Sequence, residues 1–144
     1  MFKLIKNLHS HAGAPELTVV KKNKQLTVYA NSVYFIHGGN LTTDCNCDGM
    51  QAFIPIADTG TDTQDVTGYY VTPNMVFETD YIINGEEDES LVGDPVYFNT
   101  QYNRDNDSVI AQYVIREDGW YGGAYLLSKE DFEKTGKVQV VIRT

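Results

Sequence analysis

The chain is short of the residues that staple a fold or cut a substrate. Of its 144 residues only two are cysteine, Cys45 and Cys47, and a disulfide across one intervening residue is strained. A reduced pair is therefore expected, as in a cytoplasm. Apolar runs are short as well: none approaches the ~18–20 residues needed to cross a bilayer. The opening Met1-Phe2-Lys3-Leu4-Ile5-Lys6 is too brief and too often broken by charge for a secretory signal. Cations are the minority, 11 Lys and Arg against 20 Asp and Glu, and the net charge of −9 argues against a nucleic-acid binder. No internal repeat and no low-complexity linker divides the chain. These absences leave one domain, made in a cytoplasm, with neither a membrane nor a nucleic acid as partner.

What is present favours strands. Aromatics make up 12% of the residues, with ten Tyr and one Trp, a bias toward strand formers and toward rings that sit half in water. A chain of this length buries roughly 68–70% of the surface its unfolded form exposes, enough for a core without staples. The clearest pattern lies in the last third. Gly93-Asp94 supplies a turn, Pro95 fits a first strand position where its missing N–H leaves no ladder bond unmade, and Val96-Tyr97-Phe98 continues the strand. Residues 109–115 are apolar on both faces, as in a strand covered on both sides, and residues 99–108 form a polar loop between the two. A closing strand follows at Lys137-Val138-Gln139-Val140-Val141-Ile142. Before it, Ser128, Glu130 and Asp131 open a short helix that Gly136 can end.

Upstream, residues 1–15 show no sustained period and read as an extended N-terminal arm ahead of a body over residues 16–144. Leu17-Thr18-Val19-Val20 and Leu26-Thr27-Val28-Tyr29-Ala30 read as a hairpin around residues 21–25. Val33-Tyr34-Phe35-Ile36 forms a strand stopped by Gly38-Gly39. In Gln51-Ala52-Phe53-Ile54-Pro55-Ile56 the proline predicts an edge strand. Residues 57–68 read as an exposed loop, and strands resume at Tyr69-Tyr70-Val71-Thr72 and Met75-Val76-Phe77-Glu78-Thr79. Charge is uneven: up to Lys24, five lysines face one glutamate, so this segment carries +4 and the remainder −13. A basic arm precedes an acidic body, and the arm can lie as a solvated flank or dock on an acidic surface.

Several constellations invite a chemical reading. Asp44-Cys45-Asn46-Cys47-Asp48-Gly49 matches the opening of a calcium loop, but Pro55 stands at the twelfth position where a bidentate glutamate belongs. A turn built on Asx residues is the plainer account. Zinc would need ligands beyond Cys45, Cys47 and His37, with His9 or His11 reaching in from the arm. Nucleophilic catalysis by either cysteine with His37 as base lacks a third group to orient the histidine. Glu86, Glu87, Asp88 and Glu89 stand too close in sequence to form a tuned acid and base pair, and read as a solvated loop. No catalytic residue, metal or cofactor is expected. In Gly119-Trp120-Tyr121-Gly122-Gly123-Ala124-Tyr125, glycines around adjacent aromatics allow a tight turn, packed in the core or presenting rings at a contact surface.

Leu91-Val92-Gly93-Asp94-Pro95-Val96-Tyr97-Phe98, the polar tip over residues 103–107, the Gly119-Trp120-Tyr121-Gly122 turn and the final V-x-V strand resemble the C-terminal half of small β-rich bacteriophage head decoration proteins. The residues read as an all-β chain, a single small β-barrel or β-sandwich with an extended N-terminal arm and one short C-terminal helix, and the resemblance implies the same small barrel or sandwich. It also implies a non-enzymatic capsid cement protein on the exterior of the virion. Such a protein binds the major capsid protein, bridges its subunits and is often a trimer. Phe2, Lys3 and Lys6 of the arm and the rings of Tyr69, Tyr70, Trp120 and Tyr121 are the expected partner-binding residues. The alternative is a carbohydrate-binding or adhesion module on a virion or cell surface, with tyrosine and tryptophan exposed in a concave patch beside Asp and Asn.

Overall fold

A computed structural model describes the chain except residues 9–13, 44–50, 83–91, 104–107, 116–120 and 144; for residues 102, 103, 108, 110, 121 and 122 it describes the backbone alone. The elements in order are β1 (Lys3–Asn7), β2 (Thr18–Lys22), β3 (Tyr34–His37), β4 (Asn40–Thr42), β5 (Gln51–Pro55) and β6 (Asp65–Tyr70). They continue with β7 (Met75–Asp80), β8 (Pro95–Asn103), β9 (Ser108–Ile115), β10 (Tyr121–Ser128), α1 (Phe132–Thr135) and β11 (Lys137–Ile142). The protein is all-β with one short helix near its C-terminal end, as its composition predicts. It forms two compact units: residues 1–14, 72–100 and 112–144 make the first, and residues 15–71 and 101–111 the second. The expected division into an arm over 1–15 and one body over 16–144 is thus replaced by units that interleave along the chain.

The second unit contains a closed barrel in the order β2-β4-β3-β5-β6. All its strand pairs are antiparallel except β2 with β4. Closure removes free edges, and it corrects the edge-strand reading of β5: Pro55 is the last residue of that strand, where a missing N–H costs least. Closure also brings β5 and β6 very near each other at Gly68. A Cβ there would lie 2.3 Å from the Ile54 carbonyl oxygen and 2.8 Å from the Pro55 Cα, so only glycine fits.

The expected hairpin partner of β2 does not form. Residues 26–30 make only a bridge between Val28 and Thr59, and β2 pairs with β6 instead. Leu26 and Val28 join Tyr34, Leu41, Phe53 and Val66 in the barrel core. Two of the segment's other backbone donors find side chains: Tyr29 N–H donates to the Tyr34 hydroxyl at 2.9 Å and Ala30 N–H to Asp58 Oδ1 at 2.8 Å, while Leu26 N–H donates to the Asn23 carbonyl at 3.1 Å. Residues 65–68, read as loop, belong to β6 because their polar side chains, Asp65 and Thr67, face solvent while Val66 and Gly68 face inward. Residues 99–103 likewise continue β8.

The first unit holds a six-stranded sheet in the order β1-β7-β11-β10-β8-β9. Its inner face packs Phe77 against Val140, and Val140 against Leu126, in register. Here the arm reading fails. Phe2 is fully buried, edge-on to Phe77 at 6.2 Å and to Phe98 at 4.8 Å between ring centroids. Residues 3–7 then pair with β7. Burying an aromatic ring is worth about 1.5–3 kcal/mol against about 1–2 kcal/mol for fixing one residue's backbone, so the ring offsets its own ordering and the ladder bonds to β7 hold the rest of this aperiodic segment as a strand. The sheet also curls. Ile82 N–H donates to the Val114 carbonyl at 3.0 Å, and the Met1 ammonium to the Gln112 carbonyl at 2.8 Å.

The helix is a single turn, Phe132–Thr135, half the two turns its signals imply. Gly136 ends it in the left-handed region at φ 71°, and its N–H donates to the Phe132 carbonyl at 2.8 Å. Asp131 occupies the first cap position without a side-chain bond. Ser128 instead accepts a hydrogen bond of 3.3 Å from Glu130 N–H ahead of the helix.

Candidate functional site

The outer face of the first unit's sheet carries a row of residues in register. Lys6 stands opposite Val76, Val76 opposite Val141, Val141 opposite Tyr125, and Tyr125 opposite Pro95. Residues directly opposite in an antiparallel ladder share a face, so the row crosses five strands on one side. Val76 within it is fully buried and Val141 nearly so, and the row reaches solvent at Lys6 on one end and at Tyr125 and Pro95 on the other. A second row places Lys3 opposite Glu78 and Glu78 opposite Gln139. Strict alternation would turn Lys3 and Lys6 to opposite faces. The register shift between Leu4 and Lys6 brings both to the outside, as a bulge does by inserting one unpaired residue.

Toward the far end of the first row the surface dips into a groove of about 410 Å³, lined by Val92, Gly93, Tyr125, Leu127, Val141 and Arg143 among others. Val141 is buried and makes its floor. Val92 and Tyr125 are exposed at 59% and 39%, so the groove stays open to solvent along these two side chains. Gly93 adopts φ 96° with no atom within 4 Å of where a Cβ would stand, and its N–H donates to the Leu126 carbonyl at 2.7 Å, which fixes one wall to β10. Arg143 closes the other side. Its backbone N–H donates to the Gly123 carbonyl at 2.8 Å, and its Nη1 to Asn74 Oδ1 at 2.7 Å. Asn74 itself sits at φ 74° in the turn before β7 and donates its N–H to the Ile142 carbonyl, so the Arg143 anchor is held by backbone.

The sequence-predicted residues separate. Lys3 and Lys6 lie on this outer face and are exposed. Phe2 is in the core and has no surface to offer a partner. Tyr69 and Tyr70 belong to the second unit. Tyr69 is buried at 5%, and burial pushes its phenol above the ordinary value. Tyr70 is 38% exposed, with its ring edge-on to Phe53 at 5.4 Å. Trp120 lies outside the described residues, and Tyr121 is described only as the first residue of β10. The Cys45 and Cys47 loop, His9, His11 and the acidic residues 86–89 are also outside them. His37 ends β3 and is exposed.

Tyr125, Val92 and Arg143 were missed. The signal was present for Tyr125: in Ala124-Tyr125-Leu126-Leu127, the buried Ala124 and Leu126 take the inner face and leave the tyrosine outward. The second unit has one further unusual group. Lys22 is 2% exposed, and its ammonium donates to the Gly60 carbonyl at 2.9 Å and the Asn23 carbonyl at 3.4 Å. Burial lowers its pKa, since a desolvated cation is disfavoured. No family model matches the chain, and no curated protein or solved structure matches it.

Proposed function

We propose that this chain is a non-enzymatic structural protein that binds the outer surface of a phage head, bridging and stabilising major capsid subunits, and that it works as a homo-oligomer, with a trimer favoured. The observation that carries the docking half of this reading is one side of the first unit's sheet, where Lys3, Lys6 and Tyr125 are exposed on paired strands and Val92 and Arg143 on the segments beside them. Aromatic and arginine side chains on a preorganised surface are the groups that dominate protein interfaces. The phage half rests on the resemblance of residues 91–98 and of the closing strand. The docking role falls to Lys3 and Lys6 as members of a paired strand, whose backbone is already ordered before a partner arrives. Stabilisation of a shell follows by mass action, because only the assembled surface offers the site. A glycan reading fits less well, since the groove is lined mainly by apolar side chains and gives sugar hydroxyls few partners.

Co-sedimentation of the purified chain with expanded, undecorated phage heads tests the reading, with light scattering after size exclusion for the copy number. Saturable pelleting and a higher disruption temperature of the heads are expected. A monomer that stays in the supernatant would overturn it.

A further inference from the structure

The groove on the first unit is unbalanced in charge. Its floor and walls are the apolar Val92, Leu127, Val141 and the ring of Tyr125, and among the described residues the one charged group in its lining is Arg143. That guanidinium is exposed and donates one bond, to a neutral amide oxygen. Among the described residues it forms no ion pair. A guanidinium has five N–H donors in a planar fork that matches a carboxylate.

We infer that this groove is a socket for a segment of the partner protein that sets an apolar or aromatic side chain against Tyr125 and Val141 and a neighbouring carboxylate on Arg143. The inference rests on the docking reading and names the chemistry of the partner at that site. Three features select this occupant. The groove is open, with Val92 and Tyr125 largely exposed, whereas small-molecule sites enclose 70–90% of their ligand; a side chain projecting from a larger surface needs no such enclosure. The cation beside an apolar floor favours an anionic neighbour through a charge-assisted hydrogen bond. Lys6, about 14 Å from Tyr125 by strand spacing and exposed at the other end of the row beyond the buried Val76, offers the same partner a second cation. A second copy docking groove to groove about a two-fold axis would bring another Arg143 guanidinium and, among the described lining residues, no carboxylate to receive it.

The test is a titration of the isotope-labelled full chain, followed by amide NMR, with N-acetyl-phenylalaninate and separately with its neutral analogue N-acetyl-phenylalaninamide. The acid is expected to shift Gly93, Tyr125, Leu127 and Arg143 and to bind about tenfold more tightly than the amide. In Arg143→Gln, whose own spectrum reports folding, the two compounds should bind alike. Equal affinities in the native chain, shifts elsewhere, or an Arg143→Gln variant that keeps the preference would each overturn the inference. Pelleting with phage heads separates it from the reading beneath. Heads that pellet the native chain and Arg143→Gln equally well would remove the groove as the socket and leave docking intact. Failure of the native chain to pellet would remove docking itself, and the titration still decides whether the groove selects an acid.

Discussion

The barrel of the second unit and the curled sheet of the first both deal with unpaired strand edges, by different means. The barrel closes, every one of its strands having two partners, and closure brings β5 against β6 so tightly that position 68 admits no side chain. The sheet stays open along β1 and holds that strand with one residue beside it, Phe2, seated between Phe77 and Phe98. Closed ladders spend their tolerance on backbone approach, whereas open ones concentrate it in an anchor. The open solution also leaves an outer face on which long side chains can be arranged for a partner.

The comparison breaks most sharply at the anchor. Phe2→Ala should cost about 3–5 kcal/mol of unfolding free energy, the range for emptying a buried phenylalanine site, read from denaturant midpoints. A loss below about 1 kcal/mol would mean that β1 holds without its ring. Gly68→Ala comes next, at about 1–3 kcal/mol for forced overpacking, because two of the three nearest atoms in its way are backbone and the third is the buried ring of Phe53. Gly93→Ala meets no atom and only an unfavourable φ, so it should cost about 1 kcal/mol. If the two glycine variants proved equal, close approach would not be what closes the barrel.

Alkaline pH sharpens the contrast within the barrel. Lys22 has a lowered pKa through burial, so from that value up to the ordinary lysine range the unfolded chain binds the more protons and stability rises with pH. Tyr69, raised by burial, acts in the opposite sense: above the ordinary tyrosine value the unfolded chain loses a proton that the folded one keeps, and stability falls. Urea midpoints measured from pH 7 to 11 should therefore show the rise lost in Lys22→Met and the fall lessened in Tyr69→Phe. The smallest effect belongs to the groove. Arg143→Gln should change stability by no more than about 0.5 kcal/mol, since its contact is exposed.

How legible all this was depended on how local the cause is. Strands β3, β7 and β11 stand where their apolar runs put them, and Gly38-Gly39 turns the chain with both residues at positive φ. Gly136 caps its helix for the same local reason. The segment over 26–30 alternates like a strand, yet only the barrel's need for a core filling decides that Leu26 and Val28 point inward while the backbone bonds to Tyr34 and Asp58. Pro55 reads as an edge because the sequence cannot announce closure. Phe2 followed by two lysines looks like a tail, and its ring finds a pocket only once β7 and β8, more than seventy residues further on, have assembled. The groove was least legible of all: Val92, Tyr125 and Arg143 come from separate stretches, and their meeting is a consequence of strand order.

That same long reach bears on synthesis. Lys3 pairs with Glu78, so at a translation rate of 5–20 residues per second the β1 segment waits roughly 4–15 s before its partner is made. Throughout that interval Phe2, Leu4 and Ile5 are an uncovered sticky stretch on a growing polypeptide, open to ribosome-associated chaperones or to neighbouring nascent chains, and slowing translation between the two strands would lengthen the exposure.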